Sequence, residues 1–194
     1  MYIAIEGIDT AGKSTQLEAL KEHFSDAVIT KEPGATEIGK EIREMVLSAR
    51  AQSKKAEFLL FLADRAEHIT EVIEPNIDSK MIISDRSAVS GVAYALTQGG
   101  ISEDDLVALN NFATNGLYPE KIFLLRLTKK ELEYRLSQKE LDGIELRGSE
   151  YLLNIQDSII KAAKLLNLEL VEVDATLSRE EITKKILNNI NNGK

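Results

Sequence analysis

One run constrains this chain more than any other: Gly7-Ile8-Asp9-Thr10-Ala11-Gly12-Lys13-Ser14. It lies between the apolar stretch Tyr2 to Glu6 and a segment with Leu17, Leu20 and Phe24 at helical spacing. The run satisfies the pattern Gly-x-x-x-x-Gly-Lys-Ser and stands where that pattern has meaning, after a strand and at the start of a helix. Glycines let backbone N–H groups curl around phosphate oxygens, and the helix N-terminus adds its partial positive charge at the same point. Gly7, Ile8, Asp9, Thr10, Ala11, Gly12, Lys13, Ser14 and Thr15 are therefore expected to cradle the phosphates of a nucleoside triphosphate. Lys13 would sit on the outer phosphates and the Ser14 hydroxyl on Mg2+. A glycine-rich turn that happens to carry a lysine is the plainer alternative, and the placement argues against it.

The remaining pattern predicts what surrounds the loop. Val28 to Thr30, Met81 to Ser84, Ile122 to Leu127 and Leu168 to Val173 read as further short strands. Helical spacing runs from Thr36, over a largely buried stretch Ala56 to Ile73, and over Ala88 to Thr97, Ser102 to Thr114 and Lys129 to Lys139. It resumes after a polar loop over Glu140 to Ser149 and runs to about Asn167, then begins again near Ser178, where Ser-Arg-Glu-Glu matches a capping box. Asn188 to Lys194 reads as a frayed polar tail. Strands alternating with helices imply right-handed crossovers and a parallel sheet covered on both faces. The expectation is one α/β domain over 1–194, of P-loop NTPase type, with a five-stranded parallel sheet flanked by helices and a short lid near 137–149.

Composition removes several function classes. The formal net charge is −8, so general adhesion to nucleic acid, which needs a clustered basic surface, is not expected. A polyanionic ligand must find a local basic pocket. The longest apolar run, Phe58 to Ala63, is far short of the roughly 20 residues that span a bilayer. No cysteine is present, which excludes a disulfide, a thiolate metal site and a thiol nucleophile. The start, Met-Tyr-Ile-Ala-Ile-Glu, does not read as a secretory signal, and a cytoplasmic location is expected. No guanine-reading Asn-Lys-x-Asp occurs, and a motor or transporter ATPase would usually need more chain. A small phosphotransferase fits, since it needs a donor site, an acceptor site and a cover against water.

Further segments carry a more specific resemblance. Glu6-Gly7-Ile8-Asp9 with the loop, Lys31-Glu32-Pro33-Gly34-Ala35-Thr36, Phe61-Leu62-Ala63-Asp64-Arg65, and Asp85-Arg86-Ser87 followed by Ser90, Gly91 and Tyr94 resemble, in order and spacing, bacterial thymidylate kinase. The resemblance covers nearly the whole chain and implies transfer of the ATP γ-phosphoryl group to dTMP, with Mg2+, in a homodimer. It implies that Phe61 stacks on thymine and that Arg65, four residues on and so on the same helical face, bonds the edge of the base. By themselves these two read more readily as a core phenylalanine and a surface arginine. It also implies that Arg86 holds the acceptor phosphate, that Asp9 holds the sugar 3′-hydroxyl and positions Arg86, and that Asp85 orients Mg2+ or anchors the loop. Ser90, Gly91 and Tyr94 would border the sugar, Tyr94 where a 2′-hydroxyl would stand. Pro33 would wall the nucleotide, and Arg43 would reach the phosphate or be a solvated helix charge. Another acceptor, such as a deoxynucleoside or a different monophosphate, and a non-catalytic ATP-binding regulator are the rival functions.

The chain departs from the family where positive charge is needed. Thr10 and Ala11 stand in the loop interior, so no arginine comes from there, and 137–149 holds only Lys139 and Arg147 against Glu140, Asp142 and Glu145. Arg135 is the expected replacement, with Lys139 second. Ser87, Ala35, Lys31 and Arg126 also depart from the family's usual residues. His23 and His68 read as surface or packing residues.

Overall fold

The computed structural model describes residues 1–48, 51–140 and 145–191. The middle of the expected lid and the end of the expected tail, 141–144 and 192–194, lie outside them. Strands β1 (Tyr2–Glu6), β2 (Val28–Lys31), β3 (Ile82–Asp85), β4 (Lys121–Arg126) and β5 (Leu170–Asp174) form one parallel sheet in the order β2-β3-β1-β4-β5. All five residues of β1 are buried, as a strand covered on both faces demands. Its neighbours β3 and β4 come from far along the chain, and the connection leaving β1 runs toward β2 while that leaving β4 runs toward β5, so the two diverge there. Ligand crevices in open α/β sheets form at that kind of switch point.

Register brings the functional segments level. Ile5 pairs with Asp85 and Lys31 pairs with Asp85, so β1, β2 and β3 end side by side. Two backbone bonds extend the pairing past the strand ends, from Arg86 N–H to the Ile5 carbonyl and from Glu32 N–H to the Asp85 carbonyl, each 3.0 Å. Three loops that the sequence singles out thus leave the sheet together.

The helices are α1 (Lys13–His23), α2 (Glu37–Leu47), α3 (Lys54–His68), α4 (Ala88–Gln98), α5 (Glu103–Thr114), α6 (Lys129–Leu136), α7 (Ser149–Leu165) and α8 (Arg179–Asn191). The α1/α8 pair packs on the sheet, and α7 packs on β4 and against α4. One continuous core joins Ile3, Ile5, Leu20, Ile83, Val92, Phe123, Ile155 and Ile186. The expected capping box is present: Glu181 N–H donates to Ser178 Oγ at 3.3 Å, and Ser178 N–H donates to Glu181 Oε2 at 3.0 Å.

Three boundaries differ from the sequence reading. Helix α8 continues to Asn191 because Ile182, Ile186 and Ile190 form a buried stripe, so Asn188 belongs to a helix and not to a tail. Helix α6 ends at Leu136, since the polar run after it offers nothing to pack. Helix α3 starts earlier, at Lys54, and buries one face only; Leu59 on the other is 55% exposed. Beyond His68 it widens into a turn closed by Glu74 N–H on the Ile69 carbonyl.

Asp64 on α3 fixes the loop after β2. Its Oδ1 accepts the Gly34 N–H at 2.8 Å, and burial pushes the carboxyl up to about 6 despite that bond. The folded state therefore holds this proton more tightly than the unfolded chain, and stability falls as pH rises from about 4 through 6. Asp64→Asn keeps an acceptor and removes the ionisation. Its melting temperature relative to the natural chain is expected to be higher at pH 7 than at pH 4 by several degrees, as read by calorimetry.

Candidate active site

The phosphate loop is shaped by what approaches it. A Cβ on Gly7 would stand 3.0 Å from the Leu125 carbonyl oxygen and 3.1 Å from Ala11 Cβ, so only glycine lets the chain leave β1 this close to β4. Gly12, at φ 94°, turns the chain into α1, and no side chain caps that helix, which leaves its first N–H groups for a ligand. Lys13 is buried, with Nζ 3.4 Å from the Ile8 carbonyl and 3.8 Å from Asp9 Oδ1. Burial, then the charge of Arg86, lowers the Lys13 pKa to about 8 against the pull of Asp85, Asp9 and Glu6. Ser14 and Thr15 are exposed at the start of α1.

Arg86 ties this loop to the next one. Its guanidinium donates to the Gly7 carbonyl at 3.0 Å, to Ser90 Oγ at 3.1 Å and to Asp9 Oδ1 at 2.8 Å. The expected pairing of Asp9 with Arg86 is present. Beneath it lies Glu6, a residue the sequence reading left without a role. Its buried carboxylate accepts from Ser87 Oγ at 2.9 Å and Ser90 Oγ at 2.5 Å, and burial raises its pKa. A glutamate ending a buried strand, opposite two serines after Asp-Arg, was the available signal. Ser87 also caps α4, its oxygen accepting the Val89 N–H at 3.3 Å.

The donor set suits a divalent cation. Asp85 Oδ1 is buried with no hydrogen-bond partner, an expensive arrangement unless a ligand or water completes it. Together with the Ser14 hydroxyl it offers hard oxygen ligands of the kind Mg2+ takes.

Phe61 on α3 and Gly91 and Tyr94 on α4 line one cleft, together with Phe58, Ala95 and Gln98. Burial pushes the Tyr94 hydroxyl up to about 12, so it stays a neutral donor. Arg65 is not on the surface beside Phe61. It is 2% exposed and lies behind Gly91, bonded to Glu32 and Asn110. His68 is fully buried too and bonds Glu32, which excludes a surface role. Arg43, expected at the phosphate or as a solvated helix charge, donates to the Pro33 carbonyl at 2.9 Å and braces the loop after β2.

A sequence model of the family described as Thymidylate kinase matches residues 5–186. The chain belongs to the thymidylate kinase family. The thymidylate kinase of Sulfurimonas denitrificans is 74% identical over 191 residues, 98% of this chain and 100% of that protein. That of Wolinella succinogenes is 53% identical over 96% of each chain. A crystal structure of thymidylate kinase from Ehrlichia chaffeensis aligns with a TM-score of 0.72 at 26% identity, over 98% of both chains.

For a member of the thymidylate kinase family, the location of the remaining cations matters. Arg135 reaches back from α6 to the phosphate loop, donating to the Thr10 carbonyl at 2.9 Å, the Ala175 carbonyl at 2.7 Å and Glu131 Oε1 at 2.7 Å. Lys139 is exposed beyond the end of α6. Arg147 donates to the Tyr151 hydroxyl at 2.9 Å and lies 5.0 Å from that ring's centre. Arg126 is held at the surface by Glu172 and Asp157.

Lys13 yields a pH signature. A triphosphate beside its amine stabilises the charged form and raises the pKa above 8, so ATP binding near pH 8 to 9 draws a proton from the buffer. Titration calorimetry in buffers of different ionisation enthalpy is expected to show this uptake near pH 8.5 and little of it at pH 6.5.

Proposed function

We propose that this chain transfers the γ-phosphoryl group of ATP to dTMP, giving ADP and dTDP. The observation that carries the reading is Arg86, a single guanidinium that bonds the donor loop at Gly7 and Asp9 and also Ser90 of α4. Helix α4 carries Gly91 and Tyr94 into the acceptor cleft, so Arg86 stands where two nucleotides would meet end to end. The acceptor is already an ionised phosphate and needs no strong general base. Catalysis is then alignment and neutralisation of charge.

In this reading Lys13 and the N–H groups of α1 neutralise the donor phosphates, and Arg86 holds the acceptor phosphate in line with them. Asp9 fixes Arg86 and accepts from the sugar 3′-hydroxyl. Phe61 stacks on the base, Arg65 addresses its edge, and Tyr94 closes the place of a 2′-hydroxyl. Pro33 and Arg43 border the nucleotide. Ser14 and Asp85 would hold Mg2+, which supplies charge neutralisation at the β- and γ-phosphates. Arg135 serves as the transition-state cation with Lys139 behind it, in one domain whose lid is 137–149. Ile38 and Leu47 on α2, Leu59 on α3 and Phe112 on α5, the last 85% exposed, leave apolar surface that supports a homodimer. No helix among the described residues is long and apolar enough to cross a membrane, and we place the enzyme in the cytoplasm.

A panel of acceptors with ATP and Mg2+ tests the substrate. Turnover of dTMP ahead of thymidine, deoxycytidine and other monophosphates is expected, and preference for a nucleoside overturns the proposal. Phe61→Ala is expected to raise KM for dTMP about tenfold or more with little change in KM for ATP. Arg135→Ala is expected to lower kcat by about 10³ with both KM values within a few-fold; an unchanged kcat removes Arg135 from the chemistry.

A further inference from the structure

Arg65 is embedded in a connected polar cluster drawn from four parts of the chain. Its Nε donates to Glu32 Oε2 at 2.9 Å, and its Nη1 donates to Asn110 Oδ1 at 2.8 Å. The other Glu32 oxygen lies 2.9 Å from His68 Nδ1, and His68 Nε2 lies 2.7 Å from Thr30 Oγ1 on β2. Arg65, Glu32, His68 and Asn110 are each no more than 6% exposed. Glu32 lies below the usual carboxylate range: burial pushes it up, but Arg65 and His68 outweigh burial. An ionised Glu32 only accepts, so His68 Nδ1 carries the proton and donates. Asn110 has no freedom to flip, because its Nδ2 donates to the Leu106 carbonyl at 2.6 Å. Glu32 and Asn110 therefore each have one assignment toward Arg65, and together they fix the plane of the guanidinium.

One edge of that plane remains. Arg65 Nη2 donates no hydrogen bond among the described residues, and it lies 3.0 Å from where a Cβ on Gly91 would stand. Gly91 itself lines the cleft with Phe61 and Tyr94. The missing side chain at position 91 thus leaves a window between the cleft, whose lining stops at Gly91, and the N–H pair of the buried arginine behind it. Fold stability alone gives little reason for such a cluster, since a buried ion pair is seldom better than apolar side chains of its size.

We infer that Thr30, His68, Glu32 and Asn110 are positioning residues that aim Arg65 Nη2 through the Gly91 window at a hydrogen-bond acceptor on the acceptor base. This rests on the proposal that Arg65 addresses the base of dTMP. Arg65 then needs no rearrangement on binding, and a base offering an acceptor there is matched while one offering a donor leaves Nη2 unpaired.

The test compares steady-state constants of Thr30→Val, His68→Leu, His68→Asn and Gly91→Ala, each alone and combined with Arg65→Ala. His68→Leu and Gly91→Ala are expected to raise KM for dTMP about tenfold, with kcat and KM for ATP within about threefold. His68→Asn, which keeps a donor near Nδ1, is expected to recover most of the loss. In the Arg65→Ala background these effects are expected to vanish, whereas a merely structural role adds to it. Gly91→Ala favours the helix by propensity and Thr30→Val is a mild edge-strand change, so both remain readable if His68→Leu does not fold. If Arg65→Ala leaves KM for dTMP unchanged, the base-reading role of Arg65 fails. If Arg65→Ala raises it but the other variants do not, or their effects persist without Arg65, the positioning inference alone is overturned.

Discussion

Arg86 is the joint on which the rest of the site depends. A parallel sheet delivers three loops to one edge, but register alone does not orient side chains; the guanidinium does this by bonding the first residue of the phosphate loop, a carboxylate within it and the helix that follows β3. The geometry requires φ 69° at Arg86, a conformation that an L-residue rarely holds without compensation. The three hydrogen bonds, and Glu6 beneath Ser87 and Ser90, supply that compensation. The phosphate loop and the start of α4 are therefore two ends of one bonded cluster, so a change at either end is felt at the other.

Much of this was legible in the sequence because it is local. The strand, loop and helix around Gly7 to Ser14 follow from periodicity and glycine placement, and the Asp-Arg pair after a hydrophobic strand points to the same sheet edge. Even the pairing of Asp9 with Arg86 follows once both are placed at neighbouring strand ends. What was not legible is polar chemistry inside the core. Arg65 on an apolar helix reads as a surface charge until its partner is known, and that partner, Glu32, comes from a different loop. His68 read as a surface or packing residue because its two hydrogen-bond partners, Thr30 and Glu32, are more than thirty positions away. The signal that could have found the cluster was the conflict itself: an arginine and a histidine three apart on the buried face of α3, each needing an acceptor, and a glutamate beside Pro33 with no solvated helix to occupy.

The acidic balance of the chain also acquires a location. Positive charge is concentrated where phosphates would lie, at Lys13 and Arg86, and the carboxylates among them are mostly committed. Glu6 accepts two serine hydroxyls, Glu32 pairs with Arg65, and Asp9 pairs with Arg86. Among the buried side-chain carboxylate oxygens described, Asp85 Oδ1 is the one with no hydrogen-bond partner, which is the property a cation site requires.

The contacts of Arg135 have a consequence for how the chemistry would begin. A solvated arginine on a lid carries about 2 kcal/mol of rotamer entropy that must be lost when it engages a phosphoryl group. Here the side chain is already immobile, held by Glu131 and by the carbonyls of Thr10 and Ala175. Moving from two neutral carbonyls to an anionic oxygen exchanges bonds in which only the donor is charged for bonds in which both partners are, from a defined starting point. A chain with few lid cations would then gain from order what it lacks in number, if Arg135 has the role proposed for it, because this arginine already stands against the phosphate loop.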